Sequence, residues 1–145
     1  MTDLKAIASQ FRAAIERAII AGELKDMETF PRGCCAMASD LLQRYLVEHY
    51  QFFTWYMSGE YGYGRNGESH AWLETQDGLV IDITGDQYKN KKLKFSDKVY
   101  VGIRDDGFHD KFKLHNPVPY SVVTNPIVDC DKSDLRYKAI MKYIE

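Results

Sequence analysis

The sequence predicts an α+β domain, with N-terminal helices packed on an antiparallel β-sheet. Three observations predict it. Apolar residues recur at helical spacing in two segments near the N-terminus. The middle of the chain holds two runs of strand composition joined by Asp77-Gly78. Helices come first and strands follow, which is the order of segregated layers rather than of alternating βαβ units. A chain of 145 residues suits one domain, 1–145, and is long enough to bury a substantial core.

The first helix is expected over 3–21. Leu4, Ile7, Ala8, Phe11, Ile15, Ala18 and Ile19 fall on one face, and Gly22 is its stop. The second is expected over 35–48, from the spacing of Met37, Ala38, Leu41, Leu42, Tyr45 and Leu46. Pro31 and Gly33 make a sharp turn ahead of it. The aromatic run 52–59 reads as a strand, and 60–68 as a Gly-rich loop. Residues 69–75 and 79–84 read as a hairpin across Asp77-Gly78, and 98–103 as a further strand. Pro117, Pro119 and Pro126 make 105–130 irregular, with short strands. A last helix spans 132–144 with Ser133 as its N-cap.

A net charge of −2 does not steer the chain to a nucleic-acid backbone or an anionic membrane, so neither is an expected partner. The basic run 89–94 reads as a solvated loop. No stretch of 18 apolar residues occurs. Charges at Asp3, Lys5, Arg12, Glu16 and Arg17 break up any signal-peptide core. Three cysteines, two of them adjacent, suit reduced thiols in the cytoplasm.

Gly62, Gly64 and Gly67 match the spacing of a dinucleotide fingerprint, but a strand follows them where that motif needs a helix, so no such cofactor is expected. Cys34, Cys35, His70, His109, His115 and Cys130 are the zinc-ligand types. They lack a Cys-x-x-Cys pair, and adjacent cysteines rarely converge on one tetrahedral ion, so no metal is expected either.

Cysteine chemistry fits better. A thiol at a helix start beside an imidazole forms a thiolate readily, and "PRGCC" puts Cys34 and Cys35 at such a start. His70 stands on one hairpin strand and Asp82 on the other. A register symmetric about residues 77 and 78 sets Asp82 opposite Leu73, within a small shift of His70. Asp82 is the most telling of these residues, because a carboxylate inside the apolar run "VIDIT" is costly without a partner.

The segments "FPRGCC", "SHAWLE" and "GLVIDIT", over about residues 30–88, resemble the papain-like and transglutaminase-like cysteine enzymes. Small bacterial proteins of this kind look similar, and in them position 34 is open to another small residue. The resemblance implies Cys35 as nucleophile, from the Gly-x-Cys turn, with His70 as base and Asp82 as its orienting group. It implies a transglutaminase-like core and a thioester intermediate on a peptide or glutamine-type amide. Hydrolysis, transglutamination and acetyl transfer all occur among such enzymes.

The glutamine that papain-like proteases place ahead of the cysteine is missing; Glu28 and Thr29 stand there. The backbone N–H of Cys35 is one expected oxyanion donor, with Gln87 or Trp55 as candidates for the second. Tyr61, Tyr63 and Arg65 are the expected substrate-binding loop. The rival expectation is a non-catalytic module that binds a protein or ligand through that loop.

Overall fold

Asp3 opens the first helix by accepting a hydrogen bond from the Ala6 N–H at 3.0 Å. The helix, α1, runs Leu4–Ile20 and ends where Gly22 takes φ +77. Its buried stripe includes Ala8, Phe11 and Ile15, and also Arg12. The structure, a computed structural model, describes residues 3–62, 67–120 and 130–144.

Helix α2 spans Cys35–Tyr50 and follows Gly33, whose φ of +71 favours glycine. Gln51, in the left-handed region, turns the chain out of α2, so β1 begins at Thr54 rather than at 52. The strands are β1 Thr54–Tyr61, β2 Glu68–Thr75, β3 Leu79–Asp82, β4 Tyr100–Ile103, β5 Lys113–Leu114 and β6 Val118–Pro119. They form one six-stranded antiparallel sheet in the order β4-β3-β2-β1-β5, with β6 also on β1. The α+β class and the hairpin at Asp77-Gly78 are therefore present. Helix α3, Cys130–Met141, starts before the expected 132. Ser133 lies inside it and donates to Asp40 at 3.1 Å instead of capping its start. The part of the irregular 105–130 segment from 121 to 129 lies outside the described residues.

The alternation of the strands gives the sheet two different faces. Tyr56, Ala71, Leu73 and Ile81 pack with Phe11, Ile15, Leu42 and Leu46 in the helix-covered core. Met57, Trp72 and Val80 point the other way, into an aromatic layer with Tyr88, Phe108 and Phe112. That second layer is built by the segment after β3. Thr84 ends the strand by turning its N–H onto the Asp82 carboxylate at 2.9 Å, which is why β3 stops before 84. A short 3₁₀ turn, Gly85–Tyr88, follows. Among the described residues no helix is long and apolar enough to cross a membrane.

Candidate active site

The two adjacent cysteines separate at the start of α2. Cys34 precedes the helix and is buried in the helix-side core; Cys35 is the first helical residue and lines a cleft of about 250 Å³. Successive residues at a helix start point about 100° apart, so the pair cannot share one environment. Burial pushes the Cys34 thiol up. Burial also works against the Cys35 thiolate, but a hydrogen bond and the charge of His70, with the Ala71 N–H, bring Cys35 below its ordinary value.

His70 reaches Cys35 because β3 is too short to cover this part of β2. The β3 partners on β2 are Leu73 and Glu74, leaving the 68–71 stretch open on that edge for the N-terminus of α2. Leu73 pairs with Ile81, one residue away from the symmetric register, which would have paired it with Asp82. The hairpin loop thus holds three residues, and its parity puts His70 and Asp82 on the same face as diagonal neighbours.

His70 Nε2 donates to Asp82 Oδ2 at 2.7 Å, and both side chains are fully buried. That leaves Nδ1 for Cys35. Burial opposes the His70 cation, yet the charge and hydrogen bond of Asp82, followed by those of Cys35, raise it to about 9. Burial likewise opposes the Asp82 anion; the two imidazoles that face it hold it well below the usual carboxylate range. A lowered thiol beside a raised imidazole favours a thiolate–imidazolium pair.

Gln87 comes to the site on the 3₁₀ turn. Its Nε2 lies 3.2 Å from His70 Nδ1, and its Oε1 accepts the Gly33 N–H at 3.4 Å. The turn is pinned from behind. Arg12 makes a two-pronged ion pair with Asp86, at 2.6 and 2.9 Å, and donates to the Ile83 and Lys98 carbonyls. Tyr88 donates to the Ser69 carbonyl at 2.7 Å.

Trp55 is not part of this arrangement. It pairs with Glu74, whereas Gly59 pairs with His70, so about 13 Å of strand separates Trp55 from the site. Trp55 lines a separate depression with Phe53 and Tyr120. Tyr61 stands exposed at the end of β1, with its ring 6.3 Å from that of Phe112. Tyr63 and Arg65 lie outside the described residues.

One member of the cluster, His109, stands in the sequence only as a zinc-ligand type, with no sign of its place beside Asp82. His109, fully buried, places Nε2 2.7 Å from the same Asp82 Oδ2, while its Nδ1 faces Asp106 Oδ2 at 2.5 Å. Its distance of 27 residues from Asp82 carries no local spacing signal. Arg12 did leave a sign, because Ala8, Arg12, Ile15 and Ile19 follow helical spacing along one stripe.

The ligand-type atoms of His70, Asp82 and His109 lie within 4.8 Å of one another. A tetrahedral ion bound at about 2.0–2.1 Å spreads neighbouring ligand atoms to roughly 3.3 Å. The two 2.7 Å edges here are too short for that and have the length of hydrogen bonds. The cluster is a chain of hydrogen bonds, Asp106–His109–Asp82–His70–Cys35. No family model, no curated protein and no solved structure matches this chain.

Proposed function

We propose that the chain is a thiol-dependent hydrolase or acyltransferase, of papain-like or transglutaminase-like type, acting on a peptide or glutamine-type amide. The observation that carries this reading is the order of contacts: a cysteine at a helix start, bonded to a buried imidazole whose other nitrogen is 2.7 Å from a buried carboxylate.

The Cys35 thiolate attacks the substrate carbonyl carbon, a C–S bond forms, and the carbonyl electrons move to oxygen. The backbone N–H of Cys35, at a helix start with no side-chain cap, and the Gln87 amide are the oxyanion donors. The oxyanion collapses, the C–N bond breaks, and His70 Nδ1–H gives its proton to the leaving amine. His70 then takes a proton from water, or from an acceptor amine, as that nucleophile attacks the thioester. Cys35 leaves as thiolate, and His70 is again imidazolium. Asp82 holds the ring and its charge throughout. A free thiol of this kind suits a reducing compartment such as the cytoplasm.

Iodoacetamide alkylation of Cys35, followed by peptide mass spectrometry across pH, tests the reading. Wild type should alkylate with a midpoint well below that of an ordinary thiol, and His70→Ala should move the midpoint up. Ordinary thiol behaviour in both proteins would leave only a binding module.

A further inference from the structure

Asp82 serves two imidazoles with one oxygen. Oδ2 lies 2.7 Å from Nε2 of His70 and 2.7 Å from Nε2 of His109, while Oδ1 takes the Thr84 N–H. His109 cannot turn away. Asp106 Oδ2 holds its Nδ1, and Asp106 Oδ1 accepts the N–H groups of Phe108 and His109. The Tyr100 ring stacks on it at 5.5 Å, and Trp72 meets it edge-on at 4.9 Å. Such effort to aim one ring is more than the filling of an aromatic layer requires.

We propose that His109 is a positioning residue for Asp82: its Nε2–H shares the carboxylate with His70 and so limits how tightly Asp82 holds the His70 proton. This rests on the reading of Cys35 and His70 as a proton-exchanging pair. A carboxylate that accepts a second N–H has less negative charge to offer the first. His70 must hold its proton firmly enough to keep Cys35 ionised, yet release it to the leaving amine. The second donor sets that balance away from firm retention.

The test is the pH at which the His70 ring loses its proton, read from nitrogen-labelled histidine spectra of wild type, His109→Leu and His109→Gln, with Cys35 alkylation across pH in wild type as the check on the pair itself. Without the second donor, Asp82 pulls harder on the His70 proton, and the ring keeps that proton to higher pH. His109→Leu should therefore move the His70 midpoint up by about half to one pH unit, leaving about three- to tenfold less neutral ring at a given pH below it. His109→Gln, which keeps an amide donor, should return it towards wild type. The other titratable groups around the pair are Cys34, Tyr56, Tyr88 and Tyr100, all raised by burial, the carboxylates Asp40, Glu68 and Asp106, and Glu60 and His115 in the cleft. They are common to all three proteins, so the difference isolates position 109.

An unmoved His70 midpoint in His109→Leu overturns the proposal, and so does a lowered one, which would make His109 a mere prop. An ordinary Cys35 alkylation midpoint in wild type overturns instead the reading on which it rests. If His109→Leu does not fold, nitrogen-labelled histidine spectra of wild type and Asp82→Asn decide. Asp82→Asn should shift the Nε2–H resonances of both His70 and His109; a shift of His70 alone overturns the sharing.

Discussion

The Gln87 amide nitrogen lies 3.2 Å from Nδ1 of His70, the ring nitrogen that is left to face Cys35. A donor placed there is beside the point where a substrate carbonyl oxygen would gain charge. Gln87→Ala should lower kcat by about 10²-fold with little change in KM, which is the signature of a transition-state donor. Steady-state kinetics on an activated amide or ester substrate reads this, and unchanged circular dichroism excludes unfolding. A loss confined to KM would remove Gln87 from the oxyanion site.

The proton balance of the buried pair predicts how stability depends on pH. Burial works against charge on His70, but Asp82 and Cys35 raise it from 6.5 to about 9. Its contribution is complete below 6.5 and is lost as pH rises through about 9. Cys35 is lowered, so its contribution is present above its unfolded value and is lost as pH falls through the folded one. The two slopes oppose each other across this window and offset in wild type. Cys35→Ala leaves His70 with Asp82 alone. That variant should lose roughly 1–3 kcal/mol between pH 6.5 and 9, where wild type changes less. Urea unfolding at several pH values measures both, and parallel curves would contradict the pairing.

Arg12 and Asp86 form a buried ion pair that fixes the turn bearing Gln87. Arg12→Met leaves the Asp86 carboxylate without its partner in the interior and should cost about 3–5 kcal/mol. Arg12→Met combined with Asp86→Leu should recover much of that stability, because no lone charge remains. Thermal melts of the two variants and wild type give the comparison. Equal melting temperatures for the single and double variants would refute the coupling.

Gly59 lies opposite His70, and β5 passes close over it. A Cβ there would sit 2.8 Å from the Lys113 carbonyl oxygen and 3.0 Å from the Phe112 Cβ. The obstacle is backbone, which cannot swing aside. Gly59→Ala should destabilise by about 1–3 kcal/mol and loosen β5 from β1. Hydrogen exchange at the His115 N–H, which donates to the Ser58 carbonyl beside this crossing, should quicken. Protection equal to wild type would mean that the strands part without cost.

Local signals in the sequence reached far into this fold. The spacing of Leu41, Leu42, Tyr45 and Leu46 marked α2, and Asp77-Gly78 marked the hairpin. Asp82 stood out because an acid within an apolar strand needs a partner. The register did not follow from those signals: two- and three-residue loops both suit Asp77-Gly78, and only the latter gives His70 and Asp82 a common face. Trp55 is a candidate oxyanion donor from the sequence, but distance along β1 removes it. Nothing local joins His109 to Asp82 or Arg12 to Asp86, since these contacts exist only once the second layer has closed over the sheet.

The burial of Cys34 beside the cleft-lining Cys35 gives the protein an internal clock. Alkylating reagents reach Cys35 directly, whereas Cys34 becomes available only when the first turn of α2 lifts from the core. The labelling rate at position 34, followed in the same digest as position 35, therefore times the opening of the segment on which the nucleophile is mounted.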